Sequence, residues 1–222
     1  MKIEDIAEVN GDRAEVNGFG SLKPDEAGEL LASFDGEIVF PNVDKLEPEF
    51  YEALVKHNGK GISFPNYHGG QGIKLTVQDA QILSTYRGPL MFDFDSSCRL
   101  PGRLVYPLSA AENEKQEIED EIAIAKAFRK HHGGELELQN ISILSTVAAG
   151  ELFARHLPVY ISSSFHAQEE GACGSNPVWI REQLEAGSVT EWDKVAAIYR
   201  DAEKRWFPDL PEGEYPTRTR FC

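Results

Sequence analysis

The richest set of potential metal ligands is the run FHAQEEGAC, which places His166, Glu169, Glu170 and Cys173 within eight residues. Zinc is held by these residue types at recognisable spacings, and this mixed set matches none of them. The run reads instead as an exposed link between a strand and the terminal helices. The glycines of HGGQG at residues 68–72 have the look of an oxyanion loop, but no G-x-S-x-G nucleophile elbow accompanies them. An exposed insertion loop explains them better. The sequence also lacks an H-E-x-x-H helix, a G-x-x-x-x-G-K-[ST] phosphate loop and a dinucleotide-binding glycine fingerprint. His57, His131, His132 and His156 fall near predicted helix ends. A partly protonated imidazole there interacts well with the negative end of the dipole. The expectation is no catalytic residue, no metal, no cofactor and no enzymatic activity.

The chain carries 22 basic against 37 acidic residues, a net charge of −15. Such a charge repels nucleic acid and anionic membrane and favours a basic partner, although it also serves solubility alone. Hydrophobic content of 41% is enough to bury a core. The start, MKIEDIAEVNGDR, has early acids and no apolar h-region, so it does not read as a secretory signal. No stretch approaches the ~18 apolar residues of a membrane span. Cys98, Cys173 and Cys222 are odd in number and lack C-x-x-C spacing, which argues against a disulfide framework or a thiolate zinc site. The expected compartment is the cytoplasm.

Elements to position these residues emerge from a repetition. Phe-Pro-Asn occurs at 40–42 and again at 64–66, 24 residues on. Leu46, Pro48 and Leu54 follow the first copy, and Leu22, Pro24 and Leu30 stand 24 residues before them. In GGELELQNISILSTVAAGELFARHL, Leu138, Asn140, Ile141, Leu144 and Leu152 take the places of Phe40, Asn42, Val43, Leu46 and Leu54. Leu75, Ala80 and Leu83 join the pattern if five residues are inserted in YHGGQGIK. Each unit reads as a short strand and then a helix. Ile38-Val39-Phe40, Ile62-Ser63-Phe64 and Leu136-Glu137-Leu138 alternate like strands. Pro24 and Pro48 suit a first helical turn, and Thr76 and Ser145 suit N-caps. Gly36, Gly59, Gly88 and Gly133 close the units and are expected in the left-handed conformation that ends a helix. Asn42, Asn66 and Asn140 are expected to turn the chain from strand toward helix.

The period then fails. GPLMFDFD opens as a fourth strand, but Gly88 to Gly133 spans 45 residues. An irregular loop is expected over 95–108 and a long helix from about Ala110 to Lys130. That helix carries Glu112, Glu114, Glu117, Glu119, Asp120 and Glu121 in its first half, and Ile122, Ala125 and Phe128 in its second. The acids read either as a solvated face or as a contact surface for a basic partner. PVYISS is the last expected strand. Beyond it, Asn176-Pro177 starts one helix, and Ser188 with Glu191 has the spacing of a capping box for another. The second helix aligns Trp192, Val195, Tyr199, Ala202 and Trp206 on one face. Both are expected to cap the open end of a stack. The boundaries are a repeat region over 1–163, with an insertion at about 95–121, and a helical cap with a Pro-containing tail over 164–222.

The period lies in the ~20–29 residue range of leucine-rich repeats, and LELQNISIL resembles part of their L-x-L-x-x-N-x-L signature with Asn one place early. More closely, a strand followed by L-[ST]-x-x-x-A-x-x-L and a helix ending in His-Gly resembles the leucine-rich-like repeats of some environmental bacteria, over about residues 14–163. The resemblance implies an α/β fold: a short leucine-rich-repeat-like solenoid with a parallel sheet on one face and helices on the other. Proteins of that architecture generally bind other proteins. The functional expectation is a non-catalytic module that binds another protein, a basic one being favoured. The candidate contacts are the exposed sheet positions, Tyr67 and His68 in the first insertion, and Arg99, Arg103, Glu114, Glu117, Glu119 and Asp120 in the second. The alternative is an acidic inhibitor or immunity-type protein that competes with nucleic acid for a basic partner. Direct nucleic-acid or membrane binding is not expected, and oligomeric state is not legible.

Overall fold

A computed structural model describes residues 7–16, 23–67, 72–100, 103–104, 111–161 and 189–210. The protein is α/β with a mostly parallel, open sheet. Strands β1 (Ala7–Asn10) and β2 (Arg13–Val16) form an antiparallel hairpin that the repeat pattern does not anticipate. Then β3 (Glu37–Val39), β4 (Gly61–Phe64), β5 (Leu90–Arg99), β7 (Leu136–Ile143) and β8 (Val159–Ile161) join in parallel, in chain order. The short β6 (Arg103–Leu104) pairs antiparallel with β5. Helices α1 (Pro24–Ala32), α2 (Pro48–Leu54), α3 (Val77–Leu83), α4 (Ala111–Arg129) and α5 (Thr146–Phe153) occupy the connections, and α6 (Val189–Trp206) follows β8. Right-handed crossovers that always step the same way place their helices on one side of a sheet. Accordingly each helix from α1 to α6 packs on the next in sequence. No helix among the described residues is long and apolar enough to cross a membrane.

Register decides what is buried. Ala14, Ile38, Ile62, Leu90, Leu136 and Val159 align in one row across the sheet, and all are buried. Side chains two residues on form the next inward row. There Phe40 stacks on Phe64 at 5.2 Å and Phe64 on Phe92 at 5.3 Å, while Phe128 of α4 meets Phe92 at 5.5 Å. Each such ring pair adds about 0.5–1.5 kcal/mol beyond area burial. The backbone ladder runs on through the Phe-Pro-Asn corners. Phe40 N–H donates to the Ser63 carbonyl at 2.8 Å, and Asn42 N–H to that of Pro65 at 2.9 Å. Asn42 and Asn140 take the left-handed conformation, with φ of 56° and 61°, which Asn tolerates better than most residues. Asn66 does not share it, and its N–H donates instead to the Asp93 carboxylate at 3.1 Å.

Helix starts follow the sequence. Pro48 opens α2. Thr76 and Asp79 form a reciprocal capping box on α3, and the Ser145 hydroxyl accepts from Ala148 N–H. The helix exits share one design. Phe34, His57, Tyr86, His131 and Arg155 each donate their backbone N–H to the carbonyl three residues earlier. This tightens the last turn and satisfies carbonyls that a helix end leaves open. The side chain at this position then turns inward. His57 places Nδ1 2.9 Å from the Leu31 carbonyl and Nε2 3.0 Å from that of Gly36, both in the preceding unit. Arg155 is buried, and its guanidinium donates to the carbonyls of His131, Gly134 and Pro158.

Two expectations need correction here. The unit-closing glycines do not have positive φ. They are required by space: a Cβ on Gly59 would meet the Gly36 carbonyl oxygen at 2.3 Å and the His57 ring at 2.4 Å, and one on Gly36 would meet the Asp12 carbonyl oxygen at 2.0 Å. The buried His131 is likewise no dipole-binding imidazolium. Burial, with the Arg155 charge second, pulls it down to about 4, and its ring nitrogens lack a well-formed hydrogen bond. The backbone of Ser84 and Tyr86 lies near enough to offset this only in part. His132 and His156 are exposed and pair ring to ring at 4.8 Å.

The expected loop over 95–108 is also corrected in its first part, because β5 continues to Arg99. It stays beside β7 through register shifts between Asp93 and Cys98 and again before Arg99, extra residues of the kind that a bulge absorbs. The long helix appears as α4. The last helix, α6, buries Val195, Tyr199 and Ala202 and packs on α5. It also donates to the α5 exit: Arg205 bonds the Phe153 carbonyl at 2.6 Å and Trp206 Nε1 that of Arg155 at 2.9 Å. The expected helix at 176–187, the tail beyond 210 and the 166–173 run lie outside the described residues.

Two measurements check this reading. Gly59→Ala should destabilise the fold by about 1–3 kcal/mol through steric overpacking. Gly150→Ala in α5, where an added Cβ meets nothing within 4 Å, should stabilise it by about 0.5–1 kcal/mol; denaturant midpoints distinguish the two. Secondly, His131 binds its proton more weakly folded than unfolded. Its contribution is therefore fully present above pH 6.5 or so and is lost as pH falls toward about 4, by up to roughly 3 kcal/mol. His131→Phe should flatten that part of the stability–pH curve.

Candidate functional site

Strand alternation sends every second residue to the side away from the helices. The register then assembles two outward rows. One contains Arg13, Glu37 and Gly61, and the other runs through Glu15, Val39, Ser63, Met91, Glu137 and Tyr160, of which Val39, Ser63 and Tyr160 are buried despite facing away from the helices. Glu135, immediately before Leu136, continues the first row, and Asp93, paired with Gln139, lies beyond the second. The face is therefore rich in carboxylates: Glu15, Glu37, Asp93, Glu135 and Glu137. Its nearby cations are engaged. Arg13 binds the Tyr67 hydroxyl and lies 3.9 Å from Glu15. Lys60 pairs with Asp12, and this contact holds the Asp12 carboxyl below the usual range.

Several of these carboxylates are oriented by neighbours. Ser63 Oγ donates to Glu37 at 2.8 Å, and Gln139 Nε2 to Glu137 at 2.7 Å. Asp93 accepts from Asn66 N–H and, at 2.6 Å, from Asn140 Nδ2. Partial burial raises the Asp93 pKa, the two hydrogen bonds oppose the rise, and the neighbouring Glu137 charge adds to it. Between the acids the surface is low, because Gly61 contributes no side chain. The resulting notch of about 170 Å³ is lined by Glu37, Lys60, Gly61, Pro89, Met91, Glu135 and Glu137. A second depression lies over the hairpin, between Glu8, Asn10, Arg13, Glu15 and Tyr67. Among the described residues, no group of three or more His, Cys, Asp or Glu is arranged to hold a metal ion.

The sequence candidates divide between the two sides of the sheet. Tyr67 is 51% exposed and lies over the hairpin edge of the outward face. His68 is outside the described residues. Arg99 and Arg103 are register partners in the β5–β6 pair. Glu114, Glu117, Glu119 and Asp120 all belong to α4, in the helix layer. There Glu119 lies 3.9 Å from Lys115, and Asp120 accepts from Gln116 at 2.8 Å. The candidates thus do not form one constellation. The notch residues Glu37, Gly61, Met91, Glu135 and Glu137 were not singled out by number. Alternation marks them as outward, but their gathering depends on pairings across long connections.

One acid of α4 has a structural task. Glu121 is fully buried, and its carboxylate accepts the N–H of Ser145 at 2.6 Å, at the start of α5. A carboxylate there also complements the positive end of that helix. No family model, no curated protein and no solved structure matches this chain.

Removing this buried carboxylate leaves the part-buried Ser145 amide without its acceptor, so Glu121→Ala should lower the unfolding free energy by about 1–3 kcal/mol. Glu119→Ala, at the exposed surface, should change it by less than about 0.5 kcal/mol. Urea unfolding of the two variants checks the contrast.

Proposed function

We propose that the protein is a non-catalytic module that binds another protein, a basic one, through the outward face of its sheet. The observation that carries this reading is the pair of outward rows bearing Glu15, Glu37, Asp93, Glu135 and Glu137, with Arg13 and Lys60 already engaged by neighbours. Charge complementarity of this kind steers encounter and selects partners. The reading is that of a short leucine-rich-repeat-like solenoid working in the cytoplasm. Its support is the 24-residue offset linking Arg13, Glu37 and Gly61 across the sheet, together with the shared helix exits. In solenoids the extended face of the repeats is the common binding surface. A second reading draws on the same carboxylates and the net charge of −15: an acidic inhibitor that occupies the nucleic-acid site of a basic protein.

Affinity capture from the native cell at low and high salt tests both. The expected outcome is one basic partner whose retention falls about tenfold or more with Glu15→Lys plus Glu137→Lys. Reversal of Glu117, Glu119 and Asp120 on α4 should leave it bound. Retention unaffected by the sheet-face variant would refute the proposal. A nucleic-acid-binding partner released by salt, screened as exposed charges are, would favour the inhibitor reading.

A further inference from the structure

Resting on the sheet-face reading above, we propose that the notch over Gly61 receives a single Lys or Arg side chain carried by an extended segment of the partner. Three features of the notch converge on that occupant. Its shape is a gap in a side-chain row: Glu37 pairs with Gly61, so β4 contributes nothing to fill the space. A Cβ placed on Gly61 would press on the Pro89 carbonyl oxygen at 3.3 Å, so glycine suits this position and the gap stays unfilled. Its lining includes apolar surface from Pro89 and Met91 beside the acids. Long basic side chains bury an aliphatic stem against such surface and keep the charged head at its rim.

The rim supplies the counter-charge. Glu37 stands on one side, and Glu135 and Glu137 on the other. Glu37 is held by Ser63 and Glu137 by Gln139, so less order is lost when a cation arrives. Each carboxylate keeps further acceptor sites for an ammonium or guanidinium. The lining cation, Lys60, is directed to Asp12. A space of about 170 Å³ suits one side chain. An extended segment could cross the parallel strands above it, presenting alternate residues downward.

The probe is a fluorescein-labelled hexapeptide of alternating Lys and Ser, with a Glu-Ser peptide as control, followed by anisotropy and by amide chemical shifts on the intact protein. The Lys peptide should bind, and the control should not. Shifts should centre on Gly61, Met91 and Glu137, and Glu37→Gln with Glu137→Gln should weaken binding by about tenfold or more. Shift mapping needs no variant, so a folding defect in the double variant leaves the test intact. Shifts centred on Glu117, Glu119 and Asp120, or affinity indifferent to a folded double variant, would overturn the proposal. Absence of Lys-peptide binding overturns the notch alone. Failure of the broader reading shows separately, as partner retention by the Glu15→Lys, Glu137→Lys variant.

Discussion

Helix C-termini set the strongest constraint on this fold. Each leaves carbonyls that need donors once buried, and at several exits the next unit along the chain supplies them, although the Tyr86 hydroxyl and the His131 ring at the same position lack a well-formed hydrogen bond. The His57 ring nitrogens lie 2.9 and 3.0 Å from the Leu31 and Gly36 carbonyl oxygens, Arg155 donates to the carbonyls of His131 and Gly134, and Arg205 and Trp206 of α6 donate to those of Phe153 and Arg155. The contacts are close enough that a side chain on Gly36 or Gly59 would collide with the neighbouring backbone. Among the described residues, the series ends with α6 packed on α5. Burial also carries a cost within this series. It pulls Arg155 down to about 10 and pushes Tyr86 up to about 12.

That interlock holds the strands at one register, and register selects the surface. Because side chains alternate with period two, a one-residue slip would exchange the Phe40–Phe64–Phe92 stack for the outward acids. The same pairing that buries the aromatic column therefore gathers Glu37, Glu135 and Glu137 around Gly61. The core and the proposed binding face are two sides of one constraint.

Much of the fold was legible in local chemistry. Pro48, Thr76 and Ser145 mark helix starts, Asn42 and Asn140 mark left-handed corners, and the apolar face from Val195 to Ala202 marks α6. The misses share a cause. The glycine role, the neutral His131 and the extension of β5 all depend on what a neighbouring unit brings close. The site suffered in the same way. Tyr67 stood out because its insertion breaks the pattern, and it lies on the outward face. Glu37 and Glu137 occupy ordinary outward positions, and only the pairing of Ile62 with Leu90 and of Leu90 with Leu136 brings them together. The acids of α4 were conspicuous as a run, yet Asp120 is tied within its own helix and Glu121 caps the next one.

The proposed function lies on the side of the sheet away from the helices, where the strands carry partly exposed acids. The most direct test is carboxylate footprinting by mass spectrometry of the full chain, free and in complex with its captured partner. The account predicts protection of Glu37, Glu135 and Glu137, with Glu117 and Glu119 on α4 labelled equally in both states. Protection confined to α4, with the sheet-face carboxylates still reactive in the complex, would contradict it.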